Sequence, residues 1–298
     1  MKPKNGNPFG KLERCLGESK QLRIALPLLL ALVGVGSASA QAVSPTNSTV
    51  RIAGIVLKWV RGDKEANWLR LEPMVRETAK GGAQIVVTTE CFLDGYAIQD
   101  KSIPLEEYRA LGEKIPEGKY FQRLSTLAGE LRIHLVAGMT EADGELRYNT
   151  SVLIGPDGRL LSKYRKHALE HELVRNTPGT NTPSFKTNFG RVGIMICADR
   201  KHPDLVERIA AGGAEFLLCP SGGMFGPKSN DHFLQQRSRE NKLHIVFVHP
   251  CEFLATGPDG AILTRTLLGD SLLVSPAQIG SEQDSKRVFY FDLPVPGR

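Results

Sequence analysis

A chain of 298 residues, 41% of them hydrophobic and 23% charged, holds enough apolar material for one large α/β domain or two small ones. Its formal charge is +6, from 38 Lys and Arg against 32 Asp and Glu, but residues 1–40 carry six basic and two acidic side chains, so 32 against 30 remain beyond them. That near-balance excludes a nucleic-acid-binding footprint.

The first forty residues read as a leader. Lys2, Lys4, Lys11, Arg14, Lys20 and Arg23 precede an apolar run over 24–35, and Ala38-Ser39-Ala40 follows. A basic start, a short apolar centre and a small-x-small end form the pattern of a secretory signal peptide. The run is shorter than the roughly 20 apolar residues of a membrane span. The expectation is cleavage near Ala40 and an exported protein, periplasmic or secreted, with no stable membrane association afterwards. Residues 41–49 are small and polar and read as a linker, followed by one domain over 50–298.

Residues 50–57 alternate around β-branched side chains and predict a strand. The spacing of Trp68, Leu71, Met74 and Val75 predicts a helix over 67–80, stopped by Gly81-Gly82. Residues 85–87 form a short buried strand that runs on to Glu90. Helices are expected over 105–115 and 120–131, and a strand over 133–139. Residues 148–154 and 160–164 form a hairpin around Gly155-Pro156-Asp157-Gly158. The stretch 166–184 reads as irregular. Strands over 185–189 and 191–196 pair around Gly190. Then follow a helix over 205–211, a strand over 216–219, a helix over 233–241 and a strand over 245–249. A hairpin around Pro258-Asp259-Gly260 and a last strand over 288–293 complete the chain. Strands alternate with helices at first and hairpins dominate later, so mixed sheets are expected and no internal repeat is visible.

Three residues stand out chemically. Cys197 ends the apolar strand Val192-Gly193-Ile194-Met195-Ile196 just before a helix. A thiol at such a turn lies near backbone N–H groups and a helix dipole, which favour the thiolate. The commoner role of any single cysteine is packing in a core. Glu90 also ends an apolar strand, where an acid is either solvated or held in a cleft as a general base. Lys166 lies in the basic run Lys163-Tyr164-Arg165-Lys166-His167, which by itself reads as a solvated face. Cys91, Cys197, Cys219 and Cys251 remain after the leader. Their spacing matches no zinc pattern, and a domain of this size needs no disulfide staples.

Three segments in this order resemble the nitrilase (carbon–nitrogen hydrolase) superfamily. They are Val86-Val87-Thr88-Thr89-Glu90-Cys91-Phe92, then Tyr164-Arg165-Lys166-His167-Ala168-Leu169, then Gly193-Ile194-Met195-Ile196-Cys197-Ala198-Asp199 through Pro203-Asp204. Tyr148-Asn149-Thr150-Ser151, Arg237-Ser238-Arg239-Glu240-Asn241 and Gly269-Asp270-Ser271 agree with it. Thr89 stands where the family often has Pro, Ala198 where an aromatic is common, and Asp204 where it has Glu. The resemblance implies an α-β-β-α sandwich and a Glu90, Lys166, Cys197 triad that cleaves a non-peptide C–N bond through a thioester. It also implies a second glutamate beside the lysine, Glu172 or, in the alternative placement, Glu170. Ala198 and Tyr96 are the candidates for contact with substrate. No metal or organic cofactor is implied. The partner is a small amide, carbamoyl amine or nitrile, and the protein is expected to be a homodimer or higher homo-oligomer. Acyl transfer from the thioester to an amine, or small-molecule binding without catalysis on the same scaffold, are the alternatives. The chemistry requires Cys197 to remain a thiol.

Overall fold

The computed structural model describes residues 48–295, apart from residues 270, 282 and 285. The expected leader and its cleavage point therefore lie outside the described residues, as does most of the linker, whose last two residues already begin the first strand. Among the described residues, no helix is long and apolar enough to cross a membrane.

The first half of the domain runs β1 (Ser48–Leu57), α1 (Lys64–Lys80), β2 (Ile85–Val87), α2 (Leu105–Ala110), α3 (Lys119–Leu131), β3 (His134–Asp143), β4 (Leu146–Ile154) and β5 (Leu160–Arg165). The second runs β6 (Ser184–Thr187), β7 (Gly190–Ile194), α4 (Pro203–Ala211), β8 (Phe216–Pro220), α5 (Asp231–Asn241), β9 (His244–His249), β10 (Glu252–Thr256), β11 (Ile262–Leu267) and β12 (Lys286–Val295). Two six-stranded sheets result, ordered β12-β1-β2-β3-β4-β5 and β11-β10-β9-β8-β7-β6.

β1 shows how the layers are built. Val50, Ile52 and Val56 point into a core shared with Ile194, Leu218, Phe247 and Phe253 of the other sheet. Ala53, Ile55 and Leu57 point the other way, against Trp68, Leu71 and Val75 of α1 and Leu124 and Ala128 of α3. From Ile52 on both faces are buried, so that part of the strand is apolar throughout although its side chains alternate. On the second sheet, Leu205, Val206 and Ile209 of α4 and Leu234 of α5 are buried likewise, each contributing about 2 kcal/mol by leaving water. Gly54 lets the sheets approach, since a Cβ there would lie 2.4 Å from the Phe253 ring. The α-β-β-α sandwich read from the sequence is the observed architecture.

The expectation of no internal repeat is overturned. In each sheet three parallel strands (β1-β2-β3 and β7-β8-β9) are flanked by an antiparallel strand on one side and an antiparallel pair on the other. The final hairpins coincide in detail. Gly155-Pro156-Asp157-Gly158 joins β4 to β5, and Gly257-Pro258-Asp259-Gly260 joins β10 to β11. Each turn places its last glycine at positive φ (+78° and +81°). Each aspartate accepts the N–H two residues on, from Arg159 (3.1 Å) and from Ala261 (2.9 Å). The duplication escapes the eye because a sheet specifies pattern and turn chemistry, and few side-chain identities.

Boundaries moved where local chemistry intervened. α2 stops at Ala110, short of residue 115, because Gly112 weakens the helix and Pro116 biases residue 115 away from helical angles. α1 runs through Pro73, which lies on its exposed face, where the carbonyl it leaves unpaired meets water.

Candidate active site

Glu90, Lys166 and Cys197 follow the carboxyl ends of β2, β5 and β7, and the fold brings those ends to one place. Glu90 and Lys166 are buried, and Cys197 is 5% exposed. Lys166 Nζ lies 2.7 Å from Glu90 Oε1 and 2.5 Å from Glu172 Oε1. Of the two placements considered for the second glutamate, Glu172 meets the lysine. Glu170 points outward and pairs with Lys201 at 2.8 Å.

Glu172 is fixed from all sides in a short 3-10 turn. Tyr96 Oη donates to its Oε1 (3.0 Å), and Asn149 Nδ2 (3.0 Å) and Asn176 Nδ2 (3.2 Å) donate to its Oε2. Asn149 Nδ2 also donates to Glu90 Oε1 at 2.7 Å. One amide and one ammonium thus tie the two carboxylates together. Glu90 Oε2 has no hydrogen-bond partner among the described residues. A Cβ on Gly222 would lie 3.1 Å from it, and a Cβ on the next residue, Gly223, would lie 3.3 Å from Cys197 Sγ. The unengaged carboxylate oxygen and the thiol therefore face the same stretch of side-chain-free backbone.

Burial pushes the Glu90 carboxyl up, Lys166 opposes that rise, and the Glu172 charge adds to it. Burial alone would lower Lys166, but Glu90, Glu172 and the Cys197 charge together hold it well above the ordinary lysine value. The lysine is a fixed cation and the glutamate a base of raised affinity for a proton. An ammonium has three N–H donors; the two glutamates take two, and one remains for a third oxygen.

Cys197 occupies the left-handed region at φ +46°, a conformation that costs a side-chain-bearing residue about 1–2 kcal/mol. It opens a 3-10 turn, Cys197–Lys201, and α4 starts only at Pro203. The thiol is therefore not at the helix N-terminus, as the sequence suggested. The intervening turn is set by Asp199, which is fully buried. Its carboxylate accepts from Ile196 N (2.9 Å), Ala168 N (2.8 Å), His167 N (3.3 Å) and Tyr164 Oη (2.8 Å). Asp199 thereby fastens the cysteine loop of one sheet to the lysine segment of the other.

A cavity of about 270 Å³ opens on the thiol, lined by Tyr96, Lys166, Cys197, Ala198, Arg200 and Met224 among others. Its size suits a small ligand. Tyr96 and Ala198, the expected substrate contacts, both lie in its wall, and Tyr96 also positions Glu172. Thr89 accepts the Trp59 indole N–H at 2.9 Å, and the Trp59 ring packs where a Cβ on Gly222 would be, 2.4 Å away. Sequence reasoning missed Asn176, Asp199, Arg200 and the Gly222-Gly223 pair as parts of this site. Asn149 was visible within Asn149-Thr150-Ser151, and Asp199 through its place two residues past the cysteine. Gly222-Gly223 resembles any other turn in a sequence.

Cys91 and Cys219 are buried thiols behind the site, with Cys219 pushed up to about 12 by burial. Cys251 Sγ donates to the Ser271 carbonyl at 3.1 Å. Among the described residues, no group of three His, Cys, Asp or Glu side chains is arranged to hold a metal ion.

A family profile described as carbon–nitrogen hydrolase matches residues 49–280. The chain is 32% identical over 254 residues to the omega-amidase NIT2 of Mus musculus, covering 76% of this chain and 88% of that protein. It is 32% identical over 188 residues to a nitrilase of Pyrococcus abyssi, covering 62% of this chain and 68% of that one. Its fold matches the crystal structure of Saccharomyces cerevisiae Nit3, a member of branch 10 of the nitrilase superfamily, with a TM-score of 0.70, 24% identity and 83% and 90% of the two chains covered.

Proposed function

We propose that this chain, which belongs to the carbon–nitrogen hydrolase family, hydrolyses a small amide or nitrile through a thioester on Cys197. The observation that carries this reading is the placement of Lys166 Nζ between Glu90 and Glu172 in the wall of the cavity that opens on Cys197. With an amide, Cys197 Sγ attacks the carbonyl carbon as its proton passes to Glu90. The remaining N–H of Lys166 and the backbone N–H after Cys197 meet the developing oxyanion, an interaction often worth about 3 kcal/mol in the transition state. Glu90 returns the proton to the nitrogen as the C–N bond breaks, and an acyl thioester remains. Water then attacks that carbonyl, Glu90 takes its proton, and the thiol re-forms as the acid leaves. Glu172 keeps Lys166 in place and charged throughout.

The relatives named omega-amidase and nitrilase support an amide or nitrile as the substrate. Incubation of the protein with a panel of small amides, carbamoyl amines and nitriles, scored by ammonia release, tests the reading. Turnover of at least one class is expected. No release from any class, with the protein folded and Cys197 reduced, contradicts it.

The basic leader ending at Ala38-Ser39-Ala40 supports export, with the mature chain beginning near Gln41. The reading includes a homodimer or higher homo-oligomer. It is supported by the adjacent aliphatic side chains Leu173 and Val174, 61% and 68% exposed just beyond Glu172.

A further inference from the structure

Part of the cavity wall at Cys197 is bare backbone. Ser221-Gly222-Gly223-Met224 follows β8 and belongs to no strand or helix, and Gly223 and Met224 line the cavity. Two adjacent glycines are the freest backbone a chain can have, yet this pair lies against the reacting groups. A Cβ on Gly222 would be 3.1 Å from Glu90 Oε2, and one on Gly223 would be 3.3 Å from Cys197 Sγ. Having no side chains, the pair can be held only through its own backbone and that of its neighbours. Buried side chains supply the grip. His249 Nε2 lies 3.0 Å from the Gly223 carbonyl oxygen, Arg200 Nη2 donates to the Met224 carbonyl at 2.8 Å, and Glu252 accepts the Gly226 N–H at 2.7 Å. The Ser221 N–H bonds the Val248 carbonyl at 2.8 Å.

Of these anchors, His249 grips the glycine that faces the thiol. It is fully buried at the end of β9. Its ring stacks on Phe225, with centroids 4.4 Å apart, and lies parallel to the Phe247 ring at 5.9 Å. Its Nδ1 accepts the Cys251 N–H at 3.0 Å. A nitrogen that accepts from an amide carries no proton, so in the neutral ring the proton is on Nε2, which donates to the Gly223 carbonyl. Burial pushes the imidazole down to about 3, against the pull of the Gly223 bond, and the ring is therefore neutral at ordinary pH. A phenyl ring would stack beside Phe225 and Phe247 without the cost of burying polar atoms. What the imidazole adds is two bonds, one to Cys251 in its own turn and one to a loop 26 residues earlier. We propose that His249 is a positioning residue: its Nε2–H holds the Gly223 carbonyl and so fixes the bare backbone wall at which Cys197 meets its substrate. This deepens the hydrolase reading and rests on it, since His249 acts on the reaction through Gly223.

Two substitutions separate the bond to Gly223 from the stability of the fold. In His249→Gln the amide nitrogen stands where Nε2 stood and can still donate to Gly223. In His249→Asn the amide oxygen stands where Nδ1 stood, accepts from Cys251, and leaves the Gly223 carbonyl without its donor. Each variant forfeits the ring and one bond, so their melting temperatures should fall alike. Two rates should not: kcat for propionamide, and the second-order rate of Cys197 alkylation by iodoacetamide, itself a small amide. His249→Asn should lose about 100-fold in both, the cost of a misplacement of about 1 Å, and His249→Gln less than about tenfold. Equal losses in the two variants, or the larger loss in His249→Gln, overturn the proposal, since His249 would then serve stability alone. If the wild type turns over no amide, that counts against the hydrolase reading, and the alkylation rates still decide the role of His249. Should either variant fail to fold, nitrogen–proton NMR correlations of the wild-type His249 ring decide. One neutral tautomer with its proton on Nε2 is expected; a proton on Nδ1, or on both nitrogens at neutral pH, overturns the proposal.

Discussion

A glutamate buried beside a second glutamate remains useful as a base only because a lysine shares both. Lys166 bonds both Glu90 and Glu172, and Asn149 bridges the same two carboxylates. Burial, opposed by Lys166, raises the proton affinity of Glu90. Since the base must be ionised, activity should fall as pH drops through that raised value, above the usual 4.5 of a glutamate. Glu90→Gln keeps the shape and an acceptor for Lys166 but cannot take a proton. It should lower kcat by about 10²–10⁴-fold with little change in thermal unfolding. A profile of kcat against pH and one melting curve check both, and a variant with a tenth or more of wild-type kcat would remove Glu90 from the proton-transfer step. At this scale the sequence was readable where a motif surrounds the residue, as for Glu90, Lys166 and Cys197. It was ambiguous for Glu172 because the chain from 166 to 184 has no periodicity to fix which glutamate turns inward. Arg200 was unreadable, since a charged residue in Ala198-Asp199-Arg200-Lys201 resembles surface until the turn is seen to bury it.

Elements meet here through their ends, and Asp199 is the joint. Three of its four acceptor bonds tie the turn after β7 to the end of β5, one element from each sheet, and the fourth closes the turn itself. Asp199→Ala would leave the Ile196 N–H and the Tyr164 hydroxyl unpaired in the interior, and the His167 and Ala168 N–H groups unpaired at its half-buried edge. Each buried orphan costs about 1–3 kcal/mol, partly relieved by relaxation, so a loss of roughly 3–5 kcal/mol is expected, together with loss of activity. Denaturant unfolding measures the first; a loss under 1 kcal/mol would show that the joint carries little. Strands and helices themselves were legible from apolar periodicity, as α1, α3 and β1 show. Their ends were less so, because caps, turns and prolines decide them. The helix expected over 205–211 starts at Pro203, and a 3-10 turn fills the chain between it and Cys197 for the same reason: Asp199 bonds the Ile196 N–H and holds the chain in the tighter coil.

Across the whole domain, two copies of one strand pattern face each other, and the site lies where strand ends of both sheets converge. The backbone N–H of Glu90 bonds the Ser221 carbonyl at 3.3 Å, which joins the end of β2 to the end of β8. Glu90, the proposed base, comes from one sheet and Cys197, the proposed nucleophile, from the other, so the site exists only when both are formed and packed. The alternation of strands with helices and hairpins announced mixed sheets, and the sandwich followed only from the family resemblance; the doubling left the Gly-Pro-Asp-Gly turns as its trace in the sequence. The proposed reaction acylates Cys197 and none of the other buried cysteines. Mass spectrometry of the intact protein, acid-quenched during turnover of an amide and then digested, tests this most directly. A mass increase equal to the acyl group is expected, located on the peptide containing Cys197 and lost on treatment with hydroxylamine. Turnover with no acyl group on any cysteine, or with the group on Cys91 or Cys219, would contradict it.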